Sequence, residues 1–321
     1  MHLRLLRRKR LLVPVLILFL QHAGYFALLA MINVAPPNAV EEGVIRWKRR
    51  MSNDITPTIP PQNRYLGNFR ISYKYNMASC QIPFNMANIL QSTICFLENP
   101  AIFLAQNKSI SSPSSGDNRL CDNNRAEKQL NSTQLTQMIA DETQFFAVIR
   151  DPIDRFISGY IDKCLSNIDT FPEGDQCFGC RDDLRCFIRI LYRILIEFQS
   201  GKPVTITKLW SYINYFGPQT WFCDFEHRKK RYTLIHYHRG LRAAERIAAQ
   251  LDKVLTSANV PVDQRAYIRR ELSKHKATQE SQVARSLKRR IVNDTFVLET
   301  LLWMYSGDLF EFGFQNTYNF I

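Results

Sequence analysis

An apolar run, Phe145-Phe146-Ala147-Val148-Ile149, stops abruptly at Arg150-Asp151-Pro152 and gives way to Ile153-Asp154-Arg155-Phe156-Ile157-Ser158-Gly159-Tyr160. The β-type residues predict a buried strand ending at Ile149. Asp151 is a good N-cap, and Pro152 suits the first helical position because proline lacks an N–H that would be unpaired there anyway. A helix is therefore expected from Pro152. The turn between strand and helix holds Arg150 beside the helix's free N–H groups, which makes an anion site of fixed dipoles and a bidentate guanidinium. Ser158, two turns on, shares a face with Asp154 and Arg155 and can add its hydroxyl. The plainer alternative is an ordinary strand–turn–helix junction in which Arg150 pairs with a carboxylate.

The pattern Arg150-Asp151-Pro152-x-x-Arg155-x-x-Ser158-x-Tyr160 resembles the 3′-phosphate-binding segment of the Golgi carbohydrate sulfotransferases. These transfer sulfate from 3′-phosphoadenosine 5′-phosphosulfate (PAPS). The resemblance implies that Arg150 and Ser158 hold the donor's 3′-phosphate, with Arg155 counted among the donor-binding residues.

The first 34 residues set the compartment. Arg4, Arg7, Arg8, Lys9 and Arg10 precede an apolar run from Leu11 to Val34, long enough to cross a bilayer, with Glu41-Glu42 beyond it. The charge asymmetry places residues 1–10 in the cytosol and the rest in a lumen or outside the cell. A cleaved signal peptide is the alternative, since Ala23, Ala27 and Ala30 offer small residues, but the run exceeds the usual signal core. Residues 35–66 carry Pro36-Pro37, Pro57, Pro60-Pro61 and a basic cluster, and read as a stem. Residues 67–321 are then the luminal domain. Sequons at Asn107, Asn131 and Asn293 and an even count of eight cysteines fit that compartment.

The net charge of +13 points to an anionic partner. No zinc-finger spacing or aromatic RNA-binding signature is present, so nucleic acid is not expected.

A second strand–turn–helix follows the stem. Ile71–Tyr75 has strand character, and Met86, Ile89, Leu90 and Ile94 repeat at helical spacing. The intervening Ala78-Ser79-Cys80-Gln81 lacks the Walker pattern. It resembles the 5′-phosphosulfate loop of the same family in a divergent, nematode-like form, which implies that Ser79, Cys80 and Gln81 contact the donor. Where the family usually carries a lysine on the leaving phosphate, this chain has Phe84; Lys74 lies upstream.

Cys164, Cys177, Cys180 and Cys186 cluster, and Cys177-Phe-Gly-Cys180 admits zinc or a redox dithiol, but disulfides are expected in an oxidising compartment. Their pairing is not readable. An apolar stripe from Leu184 to Phe198 predicts a core helix. Tyr215–Cys223 resembles a family segment that often begins with histidine, although Trp221 and Phe222 fit a packed aromatic loop equally well. Strand character at Tyr232–His238 puts His236 and His238 on one face, more simply structural than catalytic. Helices are expected around Ala244–Leu255, from Pro261, and around Leu298–Tyr305, stopped by Gly307. His275–Arg285 and the closing Tyr305-x-x-Asp308-x-x-x-Phe312-Gly313 resemble family segments.

The resemblance thus spans roughly 70–315. It implies a P-loop-like α/β sulfotransferase fold with a central parallel sheet flanked by helices, preceded by the membrane helix and stem. It implies PAPS as donor with no metal, a glycan acceptor of chondroitin type, and a single-pass type II Golgi membrane protein. A catalytically inactive PAPS- or glycan-binding member of the fold is the alternative, motivated by Phe84.

Overall fold

The computed structural model describes residues 66–111, 127–166, 176–180, 182–200, 207–240, 242–274 and 281–314. Its five strands are β1 (Asn68–Ser72), β2 (Met77–Cys80), β3 (Glu127–Gln129), β4 (Gln144–Ile149) and β5 (Tyr232–His236), in the order β3-β1-β2-β4-β5. β4 runs parallel to β2 and β5, whereas β1 is antiparallel to both β2 and β3. The expectation of a parallel sheet holds for β2, β4 and β5 and is corrected at β1. The reason is the connection between β1 and β2, residues 73–76, which is too short for a parallel crossover.

That hairpin also moves the strand expected at Ile71–Tyr75. Tyr73 and Lys74 are exposed in the turn, Asn76 takes the left-handed conformation (φ 45), and the strand feeding the first helix is the fully buried Met77–Cys80.

Besides two short helices at Pro100–Ala105 and Phe225–Arg228, the described residues form α1 (Ala87–Glu98), α2 (Ser132–Ala140), α3 (Pro152–Tyr160), α4 (Leu184–Gln199), α5 (Thr207–Phe216), α6 (Ala243–Ser257), α7 (Val262–Lys274), α8 (Gln282–Asn293), α9 (Thr295–Met304) and α10 (Ser306–Glu311). Alternation along β4 sorts them into two layers. Phe145, Ala147 and Ile149 face one core with Phe156 of α3, Phe187 of α4, Leu287 of α8 and Leu301 of α9. Phe146 and Val148 face the other with Ile89 of α1, Ile247 and Leu251 of α6 and Ile268 of α7. The α4 stripe buries Leu184, Phe187, Ile188, Leu191 and Leu195, as its periodicity predicts.

Gly307 does not end the C-terminal helix. The break comes at Tyr305, and Gly307 lies inside α10, where a Cβ would stand 3.4 Å from the Thr220 hydroxyl. Three disulfides join pairs of described residues: Cys80–Cys223, Cys164–Cys177 and Cys180–Cys186. They leave Cys177 and Cys180 in different bridges, so the zinc and CxxC-dithiol alternatives fall. Asn107, Asn131 and Asn293 are all exposed. Asn131 also caps α2, accepting from the Gln134 N–H at 2.9 Å. Among the described residues no helix is long and apolar enough to cross a membrane. Leu11–Val34 and most of the stem lie outside them, as do residues 275–280.

Candidate active site

The carboxyl ends of β2 and β4 lie side by side, but the chain leaves β2 for α1 on one face and leaves β4 for α3 on the other. Parting of the connections opens a crevice above the sheet, the usual ligand position in open α/β folds. A pocket of about 560 Å³ fills it, lined by Pro83, Phe84 and Met86–Ile89 from one side and by Arg150, Ser158, Asp162, Lys163, Tyr215 and Tyr237 from the other.

The β4–α3 junction forms as the sequence requires. β4 ends at Ile149, Pro152 opens α3, and the Asp151 carboxylate accepts from the Asp154 N–H at 2.9 Å. Gln219 then fixes Arg150 from a distant part of the chain. Its Oε1 accepts from the Arg150 N–H (3.0 Å), and its Nε2 donates to the Arg150 carbonyl (2.8 Å). Buried Asp308 holds Gln219 in turn, accepting from the Gln219 and Thr220 backbone N–H groups at 2.8 Å each. Asn85 completes the link, donating to the Val148 carbonyl and to Gln219 Oε1.

The Arg150 guanidinium is nearly buried. Nη1 donates to the Phe84 carbonyl (2.9 Å), the group lies 4.6 Å from the centre of the Tyr237 ring, and Nε has no partner. No carboxylate pairs with it among the described residues. Burial lowers its pKa to about 10, only partly offset by nearby Tyr237, Asp154 and Asp151, so it remains charged at neutral pH. A buried cation with an open donor is costly unless an anion completes its shell. More positive charge stands close by: Asp154 of α3 pairs with Lys288 (3.0 Å) and Arg239 (3.2 Å).

The opposite wall is a tight loop ahead of α1. Phe84 and Met86 both take positive φ (66° and 64°), rare for bulky residues and typical of backbone constrained at functional sites. No side chain caps α1, so its first N–H groups, at the pocket-lining residues from Met86 to Ile89, are available to a ligand. The Phe84 ring lies against α3 at Gly159, where any Cβ would come within 3.0 Å of it, and 5.8 Å from the ring of Tyr215.

Of the residues expected to bind the donor, the pocket brings together Arg150 and Ser158. Ser79, Cys80, Gln81 and Arg155 do not line it. The Cys80 thiol is consumed in its bridge to Cys223, and Ser79 is fully buried, its hydroxyl accepting from Gln81 Nε2 at 3.0 Å. Arg155 is buried beneath the pocket as a clamp, donating to the carbonyls of Pro83 (3.0 Å), Gly217 (2.7 Å) and Tyr215 (3.0 Å). Lys74 sits over Tyr75, away from the site. His236 and His238 also lie outside the pocket, and burial lowers the pKa of each. Sequence reasoning missed Tyr237, Asp162 and Lys163, and placed Gln219 in a family-like segment without a role. Asp162-Lys163 lies just one residue beyond the family-like segment that ends at Tyr160, which is the available signal. Among the described residues no group of His, Cys, Asp or Glu is placed to hold a metal.

The sequence profile of the sulfotransferase family matches residues 67–315. Among curated relatives, carbohydrate sulfotransferase chst-1 of Caenorhabditis elegans is 27% identical over 268 residues, covering 81% of this chain and 79% of the relative. The putative sulfotransferase vep-2 of the same organism is 28% identical over 254 residues, covering 77% and 75%. No solved structure matches.

Proposed function

The chain belongs to the sulfotransferase family, and on that premise we propose that it transfers a sulfuryl group from PAPS to a glycan hydroxyl. The carrying observation is Arg150, a buried, charged guanidinium that lines the crevice with no carboxylate paired to it among the described residues. In this reading Arg150 and Ser158 receive the 3′-phosphate, the uncapped start of α1 receives the 5′ end, and the aromatic walls Tyr237, Tyr215 and Phe84 suit the nucleoside. Sulfuryl transfer needs in-line positioning and charge neutralisation rather than a covalent intermediate, which fits a pocket built from fixed donors. The glycan acceptor is drawn from the relative named a carbohydrate sulfotransferase, and the chain's net charge of +13 favours an acidic polysaccharide of chondroitin type.

We place the catalytic domain, residues 67–321, in the Golgi lumen behind a Leu11–Val34 anchor and a 35–66 stem. The disulfide bonding of Cys80, Cys95, Cys164, Cys177, Cys180, Cys186 and Cys223 supports an oxidising compartment, and the exposed sequons support glycosylation.

The test is transfer from sulfur-labelled PAPS by the detergent-solubilised full chain to desulfated chondroitin, with other glycosaminoglycans and N-glycans as controls. Label in chondroitin is expected. Donor binding without transfer to any acceptor would favour the second reading, an inactive donor-binding member, for which the uncharged Phe84 speaks.

A further inference from the structure

The donor proposed above is anionic at both ends of its ribose, yet Arg150 accounts for one end only, and Phe84 brings no charge to the other. The pocket holds a second cation, Lys163. We propose that Lys163 binds the 5′-phosphosulfate end of the donor and neutralises the departing phosphate; this rests on the donor reading above.

Three observations carry it. First, α3 does not stop at Tyr160 but widens into a π-turn, Ile161–Leu165. Such turns are rare, alter the register of side chains, and concentrate at functional sites. Here the consecutive residues Asp162 and Lys163 both line the pocket. Second, the turn is pinned: Cys164 is bridged to Cys177, whose N–H donates to the Tyr212 hydroxyl at 2.7 Å. Third, the ammonium is held in place. It lies 4.4 Å from the centre of the Tyr215 ring and 2.8 Å from Asp162, with its side chain 30% exposed. Burial disfavours its charge, but Asp162 and Tyr215 together outweigh that and raise the pKa. The Tyr215 ring in turn lies 5.8 Å from that of Phe84, which puts the ammonium on the side of the pocket where Phe84 brings no charge.

In the step itself the acceptor oxygen bonds to sulfur, and the bond from sulfur to the bridging phosphate oxygen breaks. The electron pair stays on the phosphate facing Lys163, and the hydroxyl proton leaves to solvent.

The test titrates adenosine 3′,5′-bisphosphate and adenosine 3′-monophosphate into the full chain with its disulfides intact, as wild type, Lys163→Gln and Lys163→Arg. Wild type should prefer the bisphosphate. Lys163→Gln should weaken bisphosphate binding on the order of 10- to 150-fold, the range for a lost charge-assisted contact. It should leave the monophosphate affinity unchanged, and Lys163→Arg should restore most of the loss. An undiminished preference in Lys163→Gln overturns the assignment. So does an equal loss for both nucleotides, which marks a structural role. Wild type that binds neither overturns the donor reading itself, and this inference with it.

Discussion

Arg155→Met should lower the thermal unfolding midpoint by roughly 6–15 °C, at the rate of a few degrees per kcal/mol for a domain of this size. The guanidinium donates to three carbonyls that belong to two separate loops, Pro83 on one and Tyr215 and Gly217 on the other. Methionine keeps part of the stem's packing but leaves those carbonyls without their donor. Hydrogen bonds from charged groups contribute about 1.5–3 kcal/mol each. Burial of the charge, which lowers the Arg155 pKa, offsets part of that total. A net loss of about 3–5 kcal/mol remains. Because the same bonds position the loop carrying Phe84, donor affinity should fall too, although Arg155 does not line the pocket. Calorimetric melting of the two proteins decides; a drop of less than about 2 °C would mean that water replaces the clamp.

The Cys80–Cys223 bridge is the second large contributor. It closes 143 residues of sequence, against 13 for Cys164–Cys177 and 6 for Cys180–Cys186. In the chain-entropy account the cost of losing a disulfide grows with the loop it closes, reaching roughly 4–5 kcal/mol for loops above about 100 residues and about 2–3 for the shortest. Cys80→Ala with Cys223→Ala should therefore lower the denaturation midpoint more than Cys180→Ala with Cys186→Ala. Urea unfolding curves measure both. The reverse order would show that the long bridge is not constraining the unfolded chain.

What the sequence discloses and what it conceals follow from the range of the interactions. The ends of β4 and α3 are legible at Ile149 and Pro152 because capping chemistry is local: Asp151 and Pro152 act on their own neighbours. Arg150 and Ser158 follow from the same stretch. Arg155 stands in that stretch too, but its role is set by partners 60 to 72 positions away, which no local pattern reveals. Gln219 and Asp308 stand in family-like segments, but their hold on Arg150 is hidden for the same reason. Cys80 reads as a donor contact because its motif is local, while its bond to Cys223 is not. The β1–β2 hairpin hides because residues 73–76 contain neither glycine nor proline and Asn76 alone takes the positive φ. Lys163 hides because a π-turn breaks the 3.6-residue periodicity by which helix faces are read.

The account stands most directly on one titration, adenosine 3′,5′-bisphosphate against adenosine 5′-monophosphate, in wild type and Arg150→Ala. Gln219 holds Arg150 through backbone atoms, and the cores on either side of β4 do not involve its side chain, so the variant should remain folded. Wild type should prefer the bisphosphate. Arg150→Ala should bind it on the order of 10- to 150-fold more weakly and lose most of that preference, with Ser158→Ala losing less. A folded Arg150→Ala protein with its preference unchanged would contradict the assignment of the crevice as a donor site.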